Sequence, residues 1–207
     1  ESSLSGIMRH VDRAWYRQIV DIPITWTGHR VLLHFGAVDW EAHVYVNGRD
    51  VATHWGGYDP FTVDITDALT STGPQEILVG VFDPTDSGEQ PRGKQVHSPT
   101  DIWYTASTGI WQTAWLEPVP GTWVDSLQIT PQVDQGRVNV TTQVAGNNID
   151  TSVLVEVIDG GRIIATGYGA ANTELTIPIP HPKLWSPSNP HLYDLRVRLL
   201  RQGQYVD

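Results

Sequence analysis

The stretch from Asp83 to Trp115, DPTDSGEQPRGKQVHSPTDIWYTASTGIWQTAW, gathers the groups best suited to chemistry. It combines the carboxylates Asp83, Asp86 and Asp101 with the donors Arg92, Lys94 and Gln95 and the aromatics Trp103, Tyr104 and Trp111. Sugar recognition needs that mixture. A flat apolar face stacks on the C–H face of a ring, and bidentate polar groups take neighbouring hydroxyls. The same composition also suits a loop that packs on its own scaffold, with aspartates serving turns. Composition alone leaves both readings open. Two of these carboxylates acting as a glycosidase pair is a different matter. That chemistry needs two carboxyls about 5–5.5 Å apart on a rigid support. A Gly- and Pro-rich loop is a poor support, so no catalytic residue is expected within these 207 residues.

Other chemistries find no foothold. There is no cysteine, which removes disulfides, thiolate nucleophiles and cysteine zinc sites. Neither H-E-x-x-H nor G-x-S-x-G occurs. Gly88-x-x-x-x-Gly93-Lys94 approaches a phosphate-binding loop. Gln95 follows where Ser or Thr is required, and Val96-His97-Ser98-Pro99 supplies no helix. The eight histidines are scattered, so no metal site and no cofactor is expected. Asn139-Val-Thr141 matches a glycosylation sequon but falls in a strand-like run.

The formal net charge is -10 and only two lysines occur, Lys94 and Lys183. Phosphate binding needs clustered basic residues, so nucleic acid and anionic membranes are not expected partners. No apolar run reaches the roughly 20 residues of a membrane helix. Compartment and oligomeric state are not legible. Of the nine tryptophans, eight fall at or before Trp123. Burial in a β-sandwich core is the ordinary expectation for any one of them.

The elements that must position these groups read as strands. Trp40, Ala42, Val44 and Val46 alternate with polar residues and end on an Asn47-Gly48 hairpin turn. Phe61-Val63-Ile65 and Ile77-Val79-Val81 continue the period of two. Ile110 to Leu116 reads as one strand ending at Pro118, and a single helical turn is expected at 66–69. Pro118-Val-Pro-Gly121 predicts a boundary. Valines then replace tryptophan, at 138, 140 and 144 and at 153, 155 and 157, with a turn at Asp159-Gly160-Gly161. Strand-like runs follow near 162–167, 173–179 and 193–201, and a seventh begins at Tyr205. The fold class expected is all-β: one sandwich over 1–122, then an immunoglobulin-like sandwich over 123–207 lacking its last strand.

Several segments, in order, resemble glycoside hydrolase family 2, the family of β-galactosidases, β-glucuronidases and β-mannosidases. They are Leu4-Ser-Gly-Ile7, Trp15-Tyr-Arg17, Val31 to Trp40, Val46-Asn-Gly48, Gly56 to Phe61, Asp64-Ile-Thr-Asp67, Gln90 to Gln95, Thr108 to Thr113, Lys183 to Pro187 and Asn189 to Tyr193. The resemblance implies a jelly-roll, galactose-binding-like sugar-binding domain, then an immunoglobulin-like domain. A catalytic (β/α)8 barrel carrying both catalytic glutamates would follow in the same polypeptide. On that reading the chain is the non-catalytic front part of an enzyme that hydrolyses β-glycosidic bonds. It is inactive alone, supports the barrel and contacts a terminal sugar. The resemblance also implies that Asp101, before Ile102-Trp103, reaches toward the barrel's active site. Trp103, Arg92, Lys94 and Gln95 are further substrate-binding candidates. The alternative is an autonomous carbohydrate-binding module with an immunoglobulin-like spacer.

Overall fold

The structure is a computed structural model and describes residues 11–207; the Leu4–Ile7 segment lies outside the described residues. The chain divides into two compact units, Glu1–Pro118 and Val119–Asp207.

Strands β1 (Arg13–Val20), β2 (Arg30–Phe35), β3 (Val38–Asp39), β4 (Glu41–Val46), β5 (Arg49–Trp55), β6 (Phe61–Asp64) and β7 (Gln75–Phe82) build the body of the first unit. Short pieces β8 (Gln95–Val96), β9 (Tyr104–Thr105) and β10 (Gly109–Ile110) lie in the long loop, and β11 (Ala114–Val119) follows. One sheet runs β1-β7-β4-β5 and the facing one β11-β2-β6, with β10-β3 and the parallel pair β8-β9 beside them. The alternation is realised side chain by side chain. Ala42, Val44 and Val46 point inward at 0% exposure, while Glu41, His43 and Tyr45 face out. Phe35, Ile65, Val79 and Val63 complete the core between the layers. Asn47 (φ 50) and Gly48 (φ 78) make the tight β4–β5 turn that both residues tolerate. The helical turn falls at Thr66–Ala68, and a second one at Ile24–Trp26 had no sequence signal.

Two expectations change here. The 110–116 run is not one strand. β10 pairs with β3 and β11 with β2, and the chain leaves strand geometry between them. The reason is the partner, because β2 and β3 break at the same place and the Gly36 N–H donates to Thr113 O across the gap (2.9 Å). The second correction concerns tryptophan. None of the nine is fully buried, and Trp15, Trp55, Trp103, Trp111, Trp115 and Trp185 are exposed. Val, Leu, Ile and Phe fill the inter-sheet space, and large indoles are left for faces and rims.

The second unit holds β12 (Thr122–Gln132), β13 (Arg137–Gly146), β14 (Thr151–Asp159), β15 (Arg162–Ala170), β16 (Glu174–Pro178), β17 (Asp194–Arg201) and β18 (Gln204–Tyr205). They form β12-β13-β16 facing β15-β14-β17-β18. Val140, Val155, Ile177 and Leu199, all at 0% exposure, centre the core. The seventh strand is present as a two-residue pairing on β17. On the outer face, Glu156 Oε2 accepts from both Arg196 Nε and Arg198 Nη1 at 2.7 Å, and the Arg196 bond chiefly holds its carboxyl below the usual range. The proline-punctuated run is tied down where Lys183 N donates to the Tyr193 hydroxyl (2.6 Å) and Lys183 Nζ meets Asp159 (2.7 Å).

Candidate functional site

Residues 83–113 leave the end of β7 and return at β11, so both roots of the loop rest on rigid strands. The root is buried and polar. Asp83, at 3% exposure, accepts the Thr85 N–H on Oδ1 (2.7 Å) and the Thr108 hydroxyl on Oδ2 (3.0 Å). Asp39, at 6% exposure, sits on β3 opposite Gly109 of β10. Its Oδ2 accepts from Gln95 Nε2 at 3.3 Å. The other end of the Gln95 amide accepts from Ser107 N at 2.7 Å and Ser107 Oγ at 3.2 Å. One glutamine therefore ties the middle of the loop to both the body and the loop's return. Burial first, and the Asp83 carboxylate second, push the Asp39 carboxyl up to about 6, with the Gln95 bond opposing.

Backbone shape makes this approach possible. A Cβ on Gly57 would collide with the Asp39 carboxyl, so only glycine fits there. The Gly57 carbonyl in turn accepts from Trp111 Nε1 at 2.7 Å, and Tyr58 meets the Trp111 ring edge-on at 6.4 Å between centroids. On the outer flank, His97 Nδ1 bonds Asp86 and its Nε2 lies 3.5 Å from Asp12 Oδ1. The Asp86 bond raises the imidazole's pKa and lowers that of the carboxyl.

The tip is the opposite of the root. Asp101 stands exposed at a φ of 52, beside Ile102 and Trp103, which are exposed at 64% and 40%. Lys94 Nζ lies 6.0 Å from the centre of the exposed Tyr104 ring, and the Tyr104 N–H donates to Lys94 O (2.8 Å) through the parallel β8–β9 pair. Arg92 is partly buried just before them. The tip thus offers a carboxylate, an ammonium and two aromatic faces to solvent. Of the five residues expected from sequence, Asp101, Trp103 and Lys94 share this tip, Arg92 borders it, and Gln95 turns inward. The Gln95 amide is engaged at both ends, which makes it an anchor of the loop. Sequence reasoning passed over Asp39, because alternation from Val38 to Trp40 marks it only as one more polar position. Among the described residues no group of three His, Asp or Glu side chains converges as a metal site.

A β-sandwich with a strand-anchored, aromatic and carboxylate-bearing loop, followed by a second sandwich, defines an all-β protein of two sandwich units. Residues 4–120 match the family model for the glycosyl hydrolases family 2 sugar binding domain, and residues 122–207 match that for glycosyl hydrolases family 2. The chain belongs to glycosyl hydrolase family 2. It is 28% identical over 223 residues to a beta-glucuronidase of Paenibacillus borealis, covering 98% of this chain and 36% of that protein. It is 29% identical over 208 residues to a beta-galactosidase of Thermoanaerobacter pseudethanolicus, covering 94% of this chain and 27% of that protein. Among solved structures, a Bacteroides uniformis beta-glucuronidase superimposes with a TM-score of 0.78 at 23% identity, covering 96% of this chain and 26% of the other. The chain thus spans about a quarter to a third of these relatives and corresponds to their N-terminal part.

Proposed function

We propose that this chain is the N-terminal, non-catalytic part of an enzyme that hydrolyses β-glycosidic bonds with retention, and that its loop tip contacts a terminal sugar. The catalytic barrel follows in the same polypeptide and holds both catalytic glutamates. Residues 1–122 serve as the sugar-binding domain and 123–207 as the immunoglobulin-like domain. The observation that carries the reading is the split of the loop into a buried root at Asp39, Asp83, Gln95 and Thr108 and an exposed tip at Asp101 and Trp103. A loop held this way presents a few side chains in fixed directions, as substrate positioning demands. Asp101 accepts from sugar hydroxyls, Trp103 stacks on the ring, and Lys94 and Arg92 add donors. The β-glucuronidase and β-galactosidase relatives support the substrate class, a β-glycoside.

The test uses the polypeptide that carries this chain. Asp101→Ala is expected to lower kcat/KM for an aryl β-glycoside about 10- to 100-fold, the loss of one charge-assisted hydrogen bond to substrate. The fold should be kept at a cost of about 1 kcal/mol, since the side chain is exposed and the only structural penalty is alanine at a positive φ. An unchanged kcat/KM would remove Asp101 from the site.

A further inference from the structure

A second set of groups stands on the opposite kind of surface, the outer face of the β1-β7-β4-β5 sheet. Strand register lays it out in rows. Trp15, Gly80, His43 and Thr53 are cross-strand partners in one row, and Arg13, Phe82, Glu41 and Trp55 in the next. Glycine at the second place of the first row leaves a gap that Trp15 fills. A Cβ at Gly80 would come within 2.8–3.1 Å of Cη2, Cζ3 and Cζ2 of the indole, so the ring lies down on the glycine backbone. Trp15 remains 68% exposed. Tyr45 flanks it at 6.2 Å between centroids and a 32° tilt.

Polar groups are fixed around the ring. His43 Nε2 bonds Glu41 Oε1 at 2.7 Å and its Nδ1 lies 3.2 Å from Thr53 Oγ1, so the imidazole locks Glu41 in place through one oxygen. The Arg13 guanidinium lies over Phe82, 4.1 Å from the ring centre. Together these residues enclose a shallow depression of about 150 Å³. Solvent-facing tryptophan pinned flat beside an oriented carboxylate and a guanidinium is arranged for a ligand with one apolar face and a rim of hydroxyls. Arg13 and Glu41 balance in charge, which favours a neutral ligand over a uronate or an amino sugar. The volume admits one ring.

We propose that this sheet face is a second carbohydrate-binding platform, on which one neutral hexopyranose unit of a glycan stacks on Trp15 while its hydroxyls bond Glu41 and Arg13. It is separate from the loop tip and stands whether or not Asp101 contacts substrate. It would hold glycan chains near the enzyme rather than at its reacting bond.

The experiment is ¹⁹F NMR of the full chain labelled with 5-fluorotryptophan, with the Trp15 resonance assigned by Trp15→Phe. The chain is titrated with cellotetraose, xylotetraose and β-1,4-galactotetraose in turn. At least one sugar should shift the Trp15 signal saturably, with a dissociation constant in the millimolar range expected for one exposed ring. Trp15→Ala should weaken binding, measured on the remaining signals or by affinity electrophoresis, about tenfold or more. Gly80→Ala should weaken it too, because the added methyl lifts the ring while leaving the indole present. Trp103→Ala should leave it intact. A Trp15 signal that moves with none of the three sugars overturns the proposal. So does one that moves with protein concentration instead, which makes the face a self-association surface. Binding lost in Trp103→Ala but kept in Trp15→Ala overturns it as well and assigns the sugar to the loop.

Discussion

Gly109→Ala is expected to lower the unfolding free energy of the first unit by about 2–6 kcal/mol. Gly109 adopts a φ of +109, which L residues rarely take, and holding one there costs about 1–3 kcal/mol. Its Cβ would also land on the Tyr16 phenol, with Cζ at 2.9 Å. Tyr16 cannot retreat freely. It packs against the core, and its hydroxyl accepts the Ile110 N–H at 3.3 Å. Overpacking of this kind adds about 1–3 kcal/mol. Urea unfolding of the wild type and the variant measures the sum. Tyr16→Phe in the Gly109→Ala background should recover part of the loss, because it removes the atom struck first. A Gly109→Ala protein within about 0.5 kcal/mol of wild type would show that the β3–β10 pairing gives way without cost. The position matters for the site, since Gly109 opposes Asp39 and sets where the loop returns.

Asp39→Asn should have the opposite sign. The folded protein holds the Asp39 carboxyl at about 6 against an ordinary 3.8, so it binds this proton more tightly than the unfolded chain does. Below the ordinary value the group is protonated in both states and contributes nothing. As pH rises from about 4 through about 6 the folded state must ionise a buried carboxyl beside Asp83, and stability falls. At one pH unit for about 1.4 kcal/mol, and with relaxation of the loop taking up part, the cost at neutral pH is about 1–3 kcal/mol. An asparagine side chain in place of Asp39 removes the charge and keeps an oxygen for the Gln95 amide. The variant is therefore expected to be more stable than wild type by that amount at pH 7.5, with the difference vanishing near pH 4. The difference between the two proteins is the quantity to follow. Asp64, whose burial is outweighed by its hydrogen bonds to Arg30 and Thr66, and Asp159, beside Lys183, have lowered pKa values and lose their contribution as pH falls. A flat difference across pH 4–8 would mean that Asp39 is solvated at the loop root.

The natural role of that cost is positional. Asp39 accepts from Gln95, and Asp83 accepts from Thr85 and Thr108, so the two side chains fix the loop root at three places. The loop root exchanges stability for a defined path, and the exposed Asp101 and Trp103 depend on that path.

Much of this molecule follows from its order of residues alone. Period-two alternation around Ala42, Val44 and Val46, and again around Val153, Val155 and Val157, specifies strands with one buried face. Local steric rules place the turns at Asn47-Gly48 and Gly160-Gly161. The change from tryptophan to valine past Trp123 marks two differently built sandwiches, and the chain of short motifs names the family. These signals are local or cumulative, so they survive without knowledge of neighbours. What only the tertiary structure decided is every relation between residues far apart in sequence. Asp39 and Gln95 are 56 residues apart, and nothing near either one says that they meet. Nothing near Gln95 in sequence says that its amide bridges Asp39 and Ser107, and Trp15 reads as core until Gly80 is found beneath it. The single run from Ile110 to Leu116 divides because its partner strand breaks at Gly36, a fact carried by β2 and β3 and absent from the run itself. Side-chain pattern decides which face of a strand is wet; pairing register and backbone approach decide what stands on that face together.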